Sequence, residues 1–204
     1  MSELTPNIFI KSYWNYYLEL EEQFITTKKF AEFDISNYST YSIEYLKLFQ
    51  AVCSEIDVVA KVLSEENYPD FRNIKKKNIQ KWGYYLQLSY PNLENSSIIF
   101  NGDYKIQPWS NWKYEKYINK QGHLSYKLSS GKKTPFWWIA YNKVKHERTT
   151  YSKNNKINYS QANQKNLIYS LSALFILETF YLDSVENTIN CPYMKSKLFK
   201  YIQQ

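Results

Sequence analysis

The chain has 204 residues, 44% of them apolar and 19% aromatic, which is enough for one sizeable core and too apolar for a disordered segment. Four glycines and six prolines are too few for a barrel or sandwich with many tight turns, and they favour long helices. The net charge of +7 is unevenly spread: residues 1–71 hold 5 basic and 12 acidic side chains, residues 72–156 hold 17 and 4, and residues 157–204 hold 4 and 3.

Residues 8–30 read as a first helix, with Trp14, Tyr17, Leu18, Glu21, Phe24 and Ile25 at a 3–4 spacing. Candidate N-caps Ser36, Ser39, Thr40 and Ser42 follow. The clearest helix comes next. Leu46, Phe49, Cys53, Ile56, Ala60 and Leu63 form one seam, and Tyr41, Leu48, Val52 and Val59 form a second stripe. A helix apolar on two sides belongs at the centre of the fold. A shorter helix is predicted around Asn73–Leu88, carrying Lys75, Lys76, Lys77 and Lys81. Residues 89–133, broken by prolines and glycines, read as an insertion that forms a hairpin or irregular structure. Thr134 as N-cap and Pro135 at the first helical position open a helix from Phe136 to about Arg148. A polar loop leads to a last long helix at 161–184, apolar nearly all round, and a short helix is expected within 187–204. The expected fold is all-α, one domain over 1–204 with an insertion at 89–133.

The N-terminus, MSELTPNIF, lacks the basic start and apolar stretch of a signal peptide. The most apolar run, Leu167–Leu182, is interrupted by Glu178 and falls short of a membrane span. No membrane association is expected, and the cytoplasm is the predicted location. Cys53 lies in an apolar helical pattern and Cys191 precedes a proline, so neither suggests a disulfide framework. Two cysteines without a CxxC pair and two histidines do not make a structural zinc site, so no metal or cofactor is predicted.

Chemistry concentrates on FWWIAYNKVKHER, residues 136–148. At about 100° per residue, Trp137, Ala140, Tyr141 and Val144 form an apolar face. Asn142 and His146 lie one turn apart on another face, with Lys143 beside them. An imidazole among Lys143, Lys145 and Asn142 suits proton transfer in phosphodiester chemistry, because nearby cations favour its neutral base form. A histidine among solvating lysines is the simpler alternative. The basic central segment is a plausible footprint for phosphates, unless it folds against the acidic first third. Glu55, near Val52, Val58, Val59 and Val62, is an acid in an apolar neighbourhood that needs a partner, and the basic residues of 142–148 are the natural ones. Asp57 and Lys61 read as a surface i,i+4 pair, and Asn163 and Asn166 as caps of the last helix. Trp109, Trp112, Trp137 and Trp138 read mainly as packing rather than base-stacking groups.

The segment YNKVKHER at 141–148, followed by a long apolar helix, resembles the HEPN superfamily of helical nucleic-acid-associated domains. The helix YSIEYLKLFQAVCSEIDVVAKVL is similar to one found in HEPN-like bacterial proteins of phage defence and abortive infection. The resemblance implies an antiparallel bundle of four to six helices, a homodimer, and a metal-independent endoribonuclease with RNA as substrate, acting in defence or as a toxin. It carries His146 over as the acid/base and Asn142 as the polar motif residue. The family arginine, four to six positions ahead of the histidine, has no match, since 139–141 are Ile, Ala and Tyr. Arg148 is the candidate replacement for it, with Lys143, Lys145 and Tyr141 as substrate-binding residues and Glu55 in support. The alternative is a degenerate domain that binds RNA, a nucleotide or a protein partner, such as an antitoxin or a phage protein, without cutting.

Overall fold

The N-terminal helix forms over the predicted stretch, but not as one uniform helix. The computed structural model describes residues 4–152, 154–186 and 193–202. Helix α1 (Pro6–Phe9) is capped by the Thr5 hydroxyl, which accepts from Ile8 N at 3.3 Å. It passes through a π-helical turn, Ile10–Trp14, into α2 (Asn15–Thr26). Such π-turns re-aim side chains and recur at functional sites.

Helix α3 (Ile43–Asn67) opens on Ser42, whose hydroxyl accepts from Tyr45 N at 3.1 Å. It buries the whole predicted seam, together with Leu48, Val52 and Val59. Tyr41 lies before the helix and is exposed, its ring against Tyr159. Helix α4 (Ile79–Ser89) starts six residues later than the sequence suggests. Lys76 sits in the left-handed region at φ 52°, which helical backbone does not allow, and the Asn78 side chain caps the true start at Lys81 N.

The all-α expectation is wrong: among the described residues five strands form two antiparallel sheets, so the fold is mixed α and β. Strands β1 (Ser97–Phe100), β2 (Tyr104–Ile106) and the C-terminal β5 (Phe199–Ile202) pair in the order β2-β1-β5. Strands β3 (Tyr114–Ile118) and β4 (Leu124–Leu128) form a separate hairpin against α4. The physical reason lies in the period. Ile98, Phe100 and Ile106 alternate and are buried, and β5 registers Phe199 opposite Phe100. No helix forms over the described part of 187–204: residues 193–198 are irregular and Phe199–Ile202 is a strand. Residues 187–192, including Cys191, lie outside the described residues.

The segment 89–133 is part of the core rather than an appendage. Trp109 and Trp112 are fully buried, and Trp109 meets Trp137 edge to face at 5.1 Å. Gly83 lets α4 come this close: a Cβ there would stand 2.6 Å from Trp112 Cζ2 and 2.9 Å from Tyr114. Helix α5 (Phe136–His146) begins at Phe136 as expected, but its cap is Pro135, non-helical at ψ 135°, rather than Thr134. Helix α6 (Gln164–Ser184), capped by Asn163 accepting from Asn166 N at 3.0 Å, packs along α3 through the middle of the molecule. Contrary to the sequence reading, α6 is long and apolar enough to cross a membrane. Its most apolar stretch is 72% buried within the protein, as befits a core helix.

Candidate functional site

Helix α5 is divided along its length. Trp137, Trp138, Ala140, Tyr141 and Val144 are buried, and Trp137 is fixed by donating Nε1–H to Pro108 O at 2.9 Å. The opposite face carries Ile139, Asn142, Lys143 and His146 at the i, i+3, i+4, i+7 spacing of one helix stripe. Asn142 is half-buried and donates its amide to Trp138 O at 2.9 Å, while Lys143 and His146 are exposed. Neither Lys143 nor His146 has an ion pair or side-chain hydrogen bond among the described residues. Ile139 is 45% exposed and Phe136, at the head of the helix, 43%.

The other predicted site residues stand elsewhere. Tyr141 turns inward, edge-on to Phe49 at 6.2 Å, and Lys145 lies 5.5 Å over its ring. Burial pushes the Tyr141 hydroxyl pKa up, and Lys145 partly opposes this. Both therefore belong to the side that faces α3, where Cys53 and Asp57 also act on Tyr141. Arg148 lies beyond the helix, which ends at His146 rather than reaching Arg148 as expected. Its Nε–H instead donates to Val144 O at 3.4 Å, capping the last turn, where a cation also complements the helix dipole.

Glu55 is not beside α5. It lies two residues before Asp57, roughly 200° around α3, and its field acts on Tyr13 of the π-turn and Glu178 of α6. No ion pair includes Glu55 among the described residues, and burial raises its pKa. Glu178 is fully buried, and neither carboxyl oxygen has a hydrogen-bond partner among the described residues. Burial first, and then Glu55, push its pKa well above the ordinary carboxylate range. Glu178 was visible in the sequence as the acid that interrupts the apolar run Leu167–Leu182. Its pairing with Glu55 was not, because that depends on how α3 and α6 cross.

Asp57 does more than pair with Lys61. It also accepts Trp82 Nε1–H at 2.9 Å, tying α4 to α3. Buried Glu21 gathers the C-terminal segment by accepting from Tyr17, Ser196, Lys197 N and Leu198 N.

Two cavities compete for attention. The larger, about 740 Å³, lies between α6 and the C-terminal segment, against Trp14, Phe175, Tyr193 and Phe199. Much of its polar lining is already engaged: Lys197 pairs with Glu22, Ser196 with Glu21, and Trp14 Nε1–H with Met194 O. None of the residues singled out on α5 reaches it. The second, an open cleft of about 440 Å³, adjoins the end of α5 and is lined by Lys143, Glu147, Thr150, Tyr151, Ser152, Asn154 and Asn158. Lys143 of the α5 stripe, which has no ion pair among the described residues, lines this second cleft, so it is the cavity that adjoins the predicted site residues. No group of three or more metal-ligating side chains occurs among the described residues.

Comparison with protein-family models, curated proteins and solved structures gives no match. The resemblance to the HEPN superfamily therefore rests on the residues alone.

Proposed function

We propose that the chain is an RNA-associated domain of HEPN type that takes the phosphate backbone along the solvent face of α5. One observation carries this reading: Asn142, Lys143 and His146 share that face, and Lys143 and His146 are exposed without an ion pair among the described residues, at the end of a helix anchored by two buried tryptophans. Lys143 supplies a phosphate contact and His146 a group able to move a proton near neutral pH. Because Tyr141 and Lys145 face α3 and Arg148 caps the helix, a single copy offers a binding face more readily than a complete cleavage site.

The exposed Ile139 and Phe136 favour the further reading of a metal-independent endoribonuclease of phage defence, or a toxin. An apolar patch beside the polar stripe suits two copies pairing through α5, which would bring two His146 side chains together around one phosphate. The test is incubation of wild type and His146→Ala with RNA in the presence of a chelator. Cleavage that disappears in the variant supports the nuclease. Cleavage that survives it removes His146 from the chemistry. Salt-dependent binding without cleavage leaves the binding domain, and absence of binding at low salt overturns both.

A further inference from the structure

Beyond the helix stripe, we infer that the loop after α5 holds a subsite for one unstacked nucleobase of single-stranded RNA, with Tyr151 as its stacking platform. This rests on the reading of α5 as an RNA-binding face and names what the neighbouring cleft takes.

The loop is rigidly built. Tyr151 and Ile157 form an antiparallel bridge, and Ser152 N donates to Lys156 O at 2.8 Å. Asn155, at φ 56°, takes the left-handed position that closes the turn, which asparagine tolerates better than most residues. The stem is tied back to α5: Asn158 is buried and donates its amide to Glu147 O at 2.9 Å, and Tyr159 N donates to Arg148 O at 3.0 Å. The backbone at Tyr151 is thus held in place, yet its ring is 62% exposed.

In a protein this rich in aromatics, that exposure is informative. The other exposed rings mostly have company: Tyr41 against Tyr159, Phe136 against Tyr169, Tyr117 under Lys127, Phe30 under Lys29. Tyr151 makes no ring contact among the described residues, and it lines the cleft at the end of α5. A preset ring with an open face loses little entropy when a base stacks on it, and such stacking is tolerant of sequence.

The charges around the cleft sort the parts of a nucleotide. Glu147 in its wall repels phosphate but accepts hydrogen bonds from the amino and imino edges of a base. Ser152, Asn154 and Asn158 add neutral polar groups. Lys143, which lines the same cleft, belongs to the stripe that carries His146. A strand laid along that stripe can keep its phosphates on Lys143 while one base turns into the cleft. A duplex cannot do this without unpairing, so the subsite selects single strands.

The test uses a short single-stranded RNA carrying one 2-aminopurine, with binding read by anisotropy and stacking by quenching of the analogue. Tyr151→Ala is expected to weaken binding by about five- to a hundredfold, the range for loss of one stacked base, and to abolish quenching. Tyr151→Phe should restore both, because the ring and not the hydroxyl does the stacking. Lys143→Ala should lower the salt dependence by about one counterion while leaving the quenching. Wild-type binding and quenching that Tyr151→Ala leaves unchanged would overturn the subsite while sparing the RNA-binding reading. A wild type that binds no RNA at low salt would overturn both.

Discussion

At the end of α5, Lys143 and His146 stand in solvent with no ion pair, whereas at the junction of the π-turn, α3 and α6, Glu178 is fully buried beside half-buried Glu55. Both clusters are held by the same core, and their environments give them opposite properties. Solvent leaves the exposed Lys143 and His146 side chains free to meet a polyanion. Burial disfavours the ionised form of the Glu178 carboxyl and pushes its pKa up, because an uncompensated interior charge costs several kcal/mol. The lesson is that acids and bases counted in a sequence are not equivalent charges. The acidic first third meets the basic segment in places, as where Glu65 pairs with Lys77, but Glu55 acts on another acid and Lys143 has no ion pair among the described residues.

Substitutions should separate the two regions, and the largest effect belongs to the scaffold they share. Trp137→Ala removes a fully buried indole and its bond to Pro108 O, and is expected to cost about 3–5 kcal/mol in chemical denaturation. A loss below about 1 kcal/mol would mean that α5 is not anchored as described.

The buried acid comes next. Its folded pKa lies above the ordinary value of 4.5, so its stabilising contribution is present in full below that value. It is lost as the pH climbs from there towards the folded pKa, because the unfolded chain ionises first. The slope approaches about 1.4 kcal/mol per pH unit for one such group. Glu178→Gln should flatten this loss, and Glu178→Leu should stabilise the protein at pH 8 by about 1–3 kcal/mol, the penalty of an unpartnered buried polar group. Denaturation midpoints at pH 5 and pH 8 read it out. Equal pH dependence in wild type and Glu178→Gln would mean that this carboxyl is ionised after all.

A similar or smaller cost is expected for Gly83→Ala. The added methyl must displace Trp112 or Tyr114, costing about 1–3 kcal/mol, against which the helix gains up to about 1 kcal/mol of propensity. A thermal midpoint that rises would show that the indole moves aside freely.

The smallest stability effect is expected at the surface. His146→Ala and Lys143→Ala should each stay within about 0.5 kcal/mol of wild type, as exposed groups without partners do. Lys143→Ala should nonetheless weaken RNA binding. A large stability loss in either variant would reverse the comparison and make these residues structural.

Much of this was legible from periodicity. The α3 seam from Leu46 to Leu63, the buried face of α5 and the all-round apolar α6 follow directly from where the apolar residues recur. The ends of the helices were less legible. Pro135 as cap and the stop at His146 depend on single backbone angles, and that stop removed Arg148 from its expected position. Tyr151 was passed over because a tyrosine in a polar loop has no sequence signature until its neighbours turn out to leave its ring bare.

By itself the sequence determined which residues are apolar and at what period, and hence the long helices, their core faces and the solvent stripe of Asn142, Lys143 and His146, while Ser42 and Asn163 were each one candidate cap among several. Only the tertiary structure decided what meets across the chain. It paired β1 with a strand about a hundred residues away, set Glu55 against Glu178 rather than against lysines, and drew segment 89–133 into the core through Trp109 and Trp112. Local pattern fixes the face a residue shows, whereas partners at long range are chosen by how whole elements pack, and no short stretch of sequence encodes that choice.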